Sequence, residues 1–158
     1  SSAAIYFGDW SKMLTDDLRD AVFSRDRRYR RPPKDPVNAM LSFGYALLTK
    51  EVTVALLGEG LDLMEEFRPL IVDSAVISAV NTRMVEAKDF VVCAAGCAMK
   101  DTARKALIRA YELRLDQMIT HPFFDYRCSW RAVIRVQARL LAKVLRGEIP
   151  TYSGITTR

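Results

Sequence analysis

The chain has 158 residues, enough for one domain, and half of them are hydrophobic, so it can bury a substantial core. No apolar run approaches the roughly 18 residues of a membrane-spanning helix, and the start of the chain lacks the basic and apolar regions of a signal peptide. The net charge of +5 is compatible with nucleic acid without requiring it. With 3 cysteines and 1 histidine, a disulfide framework and a zinc site are both disfavoured, and a reducing, cytoplasmic compartment is expected.

The first part of the chain is predicted to be a helix end followed by a basic loop. Residues 1–14 have the pattern of a helix that starts before the chain does, so we expect a longer protein. A polar, arginine-rich loop then covers residues 15–34. Within it, the run RDRRYRRPPK (25–34) is consistent with a solvated loop and equally with contact to phosphate groups.

Two helices with a break are predicted next. Asp35 is a suitable N-cap and Pro36 suits the first helical position, where its missing N–H costs nothing. Apolar residues then recur with the helical period. A second helix is predicted over 61–81, and Pro69 should kink or break it near Arg68.

The remaining elements are a hairpin and two helices. The β-branched residues around Ala-Ala-Gly predict a short hairpin within 89–101. One helix, predicted over 101–119, starts with an Asp101 cap, and the last runs from a Ser129 cap to Gly147. The predicted fold class is mainly α: a helical bundle-like domain of five to six helices with one small β-hairpin.

Two carboxylates on the second helix could bind a metal ion. Asp62 and Glu65 are three positions apart, so a helix places both on one face. Mg²⁺ and Mn²⁺ prefer carboxylate oxygens, and phosphodiester chemistry often uses these ions. Two carboxylates rarely suffice, however, and Arg68 could simply pair with Glu65. Spacing alone therefore favours a solvated helix face.

The last helix carries a basic stripe. Arg131, Arg135, Arg139 and Lys143 are spaced by four, and each step turns only about 40° around the helix. A solvated basic face is favoured over a track for a phosphate backbone. His121, in a predicted turn before Pro122, is expected to be structural.

Motifs for several enzyme classes are missing from the sequence. It contains no Gly-rich phosphate loop, no GxSxG and no CxxC. The sequence therefore argues against a nucleotide hydrolase, a serine hydrolase or a thiol redox enzyme.

Three long segments closely resemble one family. They are RRPPKDPVNAMLSFGYALL, LDLMEEFRPLIVD and HPFFDYRCSWRAVIRVQARLLAKVLRGEIPTY. In this order they resemble the universal integrase of CRISPR adaptation, the metal-dependent enzyme that inserts new spacers into the repeat array. The resemblance covers the chain nearly end to end. It implies that residues 1–158 form a single α-helical catalytic domain, without the family's N-terminal β-domain.

The resemblance implies a metal site for Mg²⁺ or Mn²⁺. The family holds the metal with a Glu, a His and an acidic residue of a DLxE-type motif, here Asp62-Leu63-Met64-Glu65. Glu65 is then the metal ligand and catalytic residue, with Asp62 as its neighbour in the site. Glu66 is less suited, because it points about 100° away on the helix.

Two of the family's three ligands are absent from this sequence. The Glu would fall just before Ser1, and the His lies in a loop that has no counterpart between Gly60 and Leu61. His121 does not align with the lost ligand. We expect the intact protein to contain the missing loop, so that Gly60 and Leu61 are not neighbours in it.

The implied reaction is a transesterification, in which the 3′-OH of spacer DNA attacks a phosphodiester of the repeat array. It requires no protein nucleophile. The expected DNA-binding residues are Arg30, Arg31 and Lys34, followed by Arg68, Arg135 and Arg139. A non-catalytic DNA-binding scaffold subunit and a metal-dependent DNA endonuclease are the alternative functions.

The resemblance also implies partners and a location. The DNA partners are the spacer precursor and the repeat array. The protein partners are a second copy in a homodimer, a small ferredoxin-like adaptation protein, and a RecB-like end-trimming nuclease, bound or fused. No membrane is involved, and the expected location is the prokaryotic cytoplasm.

Overall fold

The computed structural model describes residues 35–55 and 61–155. The helix end predicted at 1–14 and the arginine-rich loop at 15–34 lie outside the described residues. So do the predicted DNA-binding residues Arg30, Arg31 and Lys34.

The described residues form five α-helices and two short antiparallel strand pairs. The helices are α1 (Pro36–Ala55), α2 (Leu61–Phe67), α3 (Ser74–Asn81), α4 (Asp101–Asp116) and α5 (Trp130–Leu145). A π-helix (Arg68–Asp73) joins α2 to α3, and a 3₁₀ turn (Ala87–Asp89) precedes the first strand. Strand β1 (Phe90–Cys93) pairs with β2 (Gly96–Met99), and β3 (Met118–Thr120) pairs with β4 (Arg127–Ser129). The mainly helical fold class is confirmed.

The start of α1 and the break after α2 follow from local sequence, as predicted. An Asp35 carboxylate oxygen accepts the backbone N–H of Asn38 at 3.0 Å, so Asp35 caps the helix. Pro69, which has no backbone N–H, lies in the segment where the helix changes from α to π. The predicted kink near Arg68 is therefore a change of helix type, and the backbone continues directly into α3.

The last helix begins and ends as predicted, whereas α4 ends earlier. Ser129 Oγ accepts the N–H of Ala132 at 3.2 Å at the start of α5, and Gly147 adopts a φ of 74° just past its end. The helix predicted over 101–119 extends too far, because α4 ends at Asp116 and residues 118 and 119 belong to β3. The β3–β4 pair was not predicted, since strands of three residues give no alternating pattern to detect.

The described residues divide into two compact units. The first comprises 35–44 and 75–111, and it contains the β1–β2 hairpin. The second comprises 45–74 and 112–155, and it contains α2, the π-helix, the β3–β4 pair and α5. In the described part of the chain, no helix is long and apolar enough to cross a membrane.

In the second unit, Trp130 at the start of α5 contacts residues of other helices. The Phe67 and Trp130 rings pack edge to face with their centroids 6.5 Å apart, and the Arg114 guanidinium lies 5.1 Å from the centroid of the Trp130 ring. Arg114 Nε also donates to the backbone oxygen of Leu70 at 2.8 Å. Burial lowers the pKa of Arg114. These contacts join α2, the π-helix and α5, the elements on which the site lies.

In the first unit, Asp89 joins the 3₁₀ turn to α4. Thr102 Oγ1 donates to Asp89 Oδ1 at 2.7 Å, and the Glu86 N–H donates to Asp89 Oδ2 at 2.8 Å. The Thr102 hydrogen bond is the main cause that lowers the pKa of Asp89; burial opposes it, and the Glu86 N–H and two lysines add to it. A carboxyl with a lowered pKa stabilises the fold above its ordinary pKa, and this stability is lost as the pH falls through the lowered pKa.

We expect Thr102→Val to reduce the free energy of unfolding at pH 7 by roughly 1 kcal/mol, because it removes this hydrogen bond. The loss of stability between pH 7 and pH 3 should also become smaller than in the wild type. Urea unfolding at both pH values measures each quantity. In the control variant Thr82→Val, the lost hydroxyl bonds only the Ser78 carbonyl, so the pH dependence should match the wild type. An unchanged pH dependence in Thr102→Val would contradict the role of Asp89.

Candidate functional site

Helix α2 carries three consecutive residues with different surroundings. Met64 is buried, Glu65 is exposed and Glu66 is half-buried. Glu65 makes no hydrogen bond or ion pair with any other described residue, and the predicted alternative pairing of Glu65 with Arg68 is not formed. Asp62 lies one turn before Glu65 in the same helix, although its side chain is outside the described part of the structure. The Glu65 carboxylate is therefore available to a ligand.

The Glu66 carboxylate is hydrogen-bonded to the segment that follows α5. Tyr152 Oη donates to Glu66 Oε2 at 2.5 Å, and the backbone N–H of Ile155 donates to Oε1 at 2.6 Å. Gln137 Nε2 adds a longer contact of 3.4 Å to Oε1. Glu66 thus has a structural role that its position in the sequence did not predict.

Gln137 links Glu66 to the single histidine. The Gln137 side chain is fully buried, and its Nε2 donates to Tyr152 Oη and to the carbonyl of Ser153, each at 3.1 Å. Its Oε1 lies 3.3 Å from His121 Nε2. Because the Ser153 carbonyl and the Glu66 carboxylate only accept hydrogen bonds, the amide nitrogen must face them. The Gln137 oxygen then faces His121, whose Nε2 must carry the proton.

His121 is a structural residue, as its sequence context predicted. Its side chain is fully buried, and its Nδ1 accepts the backbone N–H groups of Phe123 and Phe124 at 3.1 and 3.4 Å. Nδ1 therefore has no lone pair left for a metal, and Nε2 donates to Gln137. The imidazole of His121 closes the turn between β3 and β4.

The hydrogen bonds of these residues form a series in which each residue accepts from the previous one and donates to the next. The backbone N–H groups at 123 and 124 donate to His121, which donates to Gln137. Gln137 donates to Tyr152, which in turn donates to Glu66. We call this series, together with the Ile155 N–H, the Glu66 clamp. Only one feature of the sequence signals it: Gln137 is a polar residue on the buried face of α5, between Val133 and Leu141.

A cavity of about 300 Å³ lies beside the clamp. Its lining is apolar apart from two hydroxyl groups, and it consists of Phe123, Phe124, Leu140, Ile149, Thr151 and Ser153. Such a lining offers no set of metal ligands.

The basic stripe on α5 divides into one neutralised and several free cations. Arg131 contacts Glu51 at 3.0 Å, Glu112 at 2.5 Å and Asp116 at 3.7 Å. Burial opposes its charge, but the Glu112 hydrogen bond and the three acids outweigh burial and raise the pKa of Arg131. Arg131 is thus a structural ion-pair residue and is not free to contact a phosphate.

The other members of the stripe face solvent. Arg135, Arg139 and Lys143 are exposed. Arg68 is half-buried, and its Nε is buried without a hydrogen-bond partner among the described residues. The predicted DNA-binding residues of the described region therefore differ in accessibility: Arg135 and Arg139 are accessible, and Arg68 is only partly so.

The described residues do not form a complete metal site. Among them, no three His, Cys, Asp or Glu residues are close enough to hold a metal ion. The donor chemistry of Glu65 nevertheless suits a hard divalent cation, because Mg²⁺ and Mn²⁺ prefer carboxylate oxygens and Glu65 is exposed, with no partner among the described residues.

Comparison with known sequences gives one family. The model for CRISPR associated protein Cas1 matches residues 1–62 and 60–113. A CRISPR-associated exonuclease Cas4/endonuclease Cas1 fusion from Geobacter sulfurreducens is 46% identical over 178 residues, covering 100% of this chain and 32% of that protein. A CRISPR-associated endonuclease Cas1 from Thermus thermophilus is 36% identical over 176 residues, covering 99% of this chain and 52% of that protein. The chain thus spans about a third to a half of these relatives.

Solved structures share the fold. A CAS1 protein from Thermotoga maritima matches with a TM-score of 0.77 and 26% identity, over 92% of this chain and 49% of that one. A casposase bound to integration product matches with a TM-score of 0.78 and 25% identity, over 96% and 47% of the two chains. A Cas6-RT-Cas1–Cas2 complex, 20% identical over 93% of this chain and 18% of that one, matches in fold with a TM-score of 0.70.

The described fold is the helical domain shared by Cas1 proteins and a casposase, with an accessible carboxylate on a short helix. The match to the family model and to close relatives then identifies it: the chain belongs to the Cas1 family.

Proposed function

We propose that this chain is the catalytic domain of a metal-dependent DNA integrase of CRISPR adaptation. The observation that carries the proposal is the difference between two neighbouring carboxylates of α2. Glu66 is occupied by the clamp, whereas Glu65 is exposed and unpaired among the described residues. Membership of the Cas1 family and the similarity to a casposase bound to integration product support the same function.

In the proposed reaction, a DNA 3′-OH attacks a phosphodiester of the repeat array, a new ester bond forms, and the displaced 3′-oxygen leaves. Asp62 and Glu65 would hold Mg²⁺ or Mn²⁺, which, when bound, activates the attacking hydroxyl and neutralises charge on the phosphate. The chain itself supplies the orientation of the two carboxylates. No serine, cysteine or histidine of the described residues needs to act as a nucleophile.

The exposed cations of α5 are the proposed DNA contacts of the described region. Arg135 and Arg139 are exposed and have no ion-pair partner among the described residues. We assign Arg68 a lesser role, because it is half-buried. Arg30, Arg31 and Lys34 remain proposed contacts from the sequence.

We further propose that a loop belongs between Gly60 and Leu61 and carries the missing His ligand. Alignment with the Geobacter relative spans 178 residues for a chain of 158, so about 20 of its positions have no counterpart here. The two matches to the family model meet at residues 60–62. A proteolytic peptide of the protein that joined Leu57 directly to Met64 would contradict this proposal.

Partners and location follow as proposals from the family. DNA, a second copy of the chain, a small ferredoxin-like protein and a RecB-like nuclease are the proposed partners, in the prokaryotic cytoplasm. The name of the Geobacter relative describes a fusion with an exonuclease, and one fold neighbour is a Cas1–Cas2 complex. Light scattering that returned the mass of a monomer would contradict the homodimer.

A DNA-binding scaffold is the second candidate, since the described residues hold no complete set of metal ligands. A nuclease is the third. DNA ends with a free 3′-OH and with a blocked 3′ end separate these functions. An integrase joins only the free end, a nuclease cuts with either end, and a scaffold only binds.

We expect Glu65→Ala to abolish Mn²⁺-dependent joining while leaving the DNA dissociation constant within about twofold, because the residue would act on the metal and not on the phosphate backbone. Joining gels and a DNA-binding titration measure the two effects. Glu148→Ala removes an exposed carboxylate that pairs with Arg146 and should join DNA as the wild type does. Unchanged joining in Glu65→Ala would refute the assignment.

The double variant Arg135→Gln with Arg139→Gln should differ from Glu65→Ala, because it should change the affinity for DNA. DNA binding should weaken, and the slope of log K against log salt should fall by roughly 2, one unit for each lost phosphate contact. The control, Lys105→Gln with Arg109→Gln, removes the same charge from exposed positions of α4. Equal losses in both double variants would show a net-charge effect and contradict a DNA contact at α5.

A further inference from the structure

Helix α2 has 7 residues and continues directly into the π-helix. A helical stretch this short derives most of its stability from packing, so the contacts of its side chains help to set the rotation of α2 about its axis. Leu63, Met64 and Phe67 are buried in the second unit, and Glu66 is held by the clamp.

The position of Glu66 determines where Glu65 points. Consecutive residues of an α-helix differ by about 100° in direction, so a helix held at Glu66 presents Glu65 in one direction. Apolar contacts alone are non-directional and tolerate small rotations. Hydrogen bonds to both oxygens of a carboxylate do not, because they require donors at defined distances and angles.

The clamp holds Glu66 from distant parts of the chain. Its hydrogen-bond partners Tyr152 and Ile155 lie 86 and 89 residues further along the chain, in the segment that follows α5. All three donors are neutral groups of Tyr152, Ile155 and Gln137, so their positions, rather than a counter-charge, stabilise the carboxylate. Each donor in the series also accepts a hydrogen bond from the previous residue, which strengthens the next bond.

We propose that Glu66 is a positioning residue: through the clamp, the segment 152–155 fixes the rotation of α2 and thereby directs Glu65 into the metal site. This inference rests on the proposed function, because that function makes the carboxylate of Glu65 a metal ligand. Loss of the clamp should weaken metal binding and slow joining without changing DNA affinity.

Three variants of the intact protein test the proposal. Tyr152→Phe removes one donor and keeps the ring, and Glu66→Gln keeps the shape of the side chain but removes its charge. We expect faster hydrogen exchange of the α2 amides, a roughly tenfold weaker Mn²⁺ affinity by electron paramagnetic resonance, and a roughly tenfold lower kcat of joining, as for other residues that orient metal ligands. Glu66→Ala should show larger losses than Glu66→Gln. Ser153→Ala is the matched control, since only the carbonyl of Ser153 joins the clamp.

The outcomes separate this inference from the function on which it rests. Hydrogen exchange could instead become faster only at residues 152–155, with unchanged exchange of the α2 amides and unchanged Mn²⁺ affinity. That result would show that the clamp stabilises only the segment 152–155, and it would overturn the inference. If the wild type joins no DNA, the proposed function fails. The exchange of α2 and the Mn²⁺ affinity then still decide whether Glu66 positions the helix.

Discussion

A half-buried carboxylate must find hydrogen-bond donors, and this need connects the parts of the second unit. Glu66 lies at the edge of the buried face of α2, where an unpaired charge would be costly. Its donors are a tyrosine hydroxyl and a backbone N–H of the segment after α5, together with an amide of α5 itself. The same amide holds His121 and so closes the β3–β4 turn. Three separate pieces of chain are thus fixed by one polar series.

The two neighbouring glutamates show how one short helix can serve structure and chemistry at once. Glu66 is half-buried and holds the segment after α5, and Glu65 is exposed to solvent. Arg131 and Arg135 on α5 differ in the same way, since Arg131 is held by Glu51 and Glu112 whereas Arg135 is exposed. In both helices, a run of like charges in the sequence therefore contains one structural residue and at least one that a ligand can reach.

Sequence reasoning predicted the features that depend on neighbouring residues. Asp35 and Ser129 cap the helices that follow them, and Pro69 changes the type of the helix in which it lies, because each effect is decided within one turn. The β1–β2 hairpin was also predicted from its β-branched residues. The resemblance to the family ranked Glu65 above Glu66 as the metal ligand, and that ranking stays a prediction; the structure adds that Glu65 is exposed and Glu66 is half-buried.

The clamp could not be predicted from the sequence. Its bonds join Glu66 to residues 71 to 89 positions away, and nothing near Glu66 indicates which donors will reach it. The β3–β4 pair was missed for a related reason: its three-residue strands show no alternating pattern, and the turn between them is closed by the buried His121. Residues that are distant in sequence become hydrogen-bond partners only once the helices have packed.

The direction of the hydrogen bonds at His121 tests the clamp most directly. Two separate observations place its proton on Nε2: the backbone N–H groups that face Nδ1, and the orientation of Gln137 that Ser153 and Glu66 require. A nitrogen-15 correlation spectrum of the imidazole distinguishes the two ring nitrogens. A protonated Nε2 with an unprotonated Nδ1 is the predicted result. A proton on Nδ1 would reverse the first link of the series and contradict the clamp.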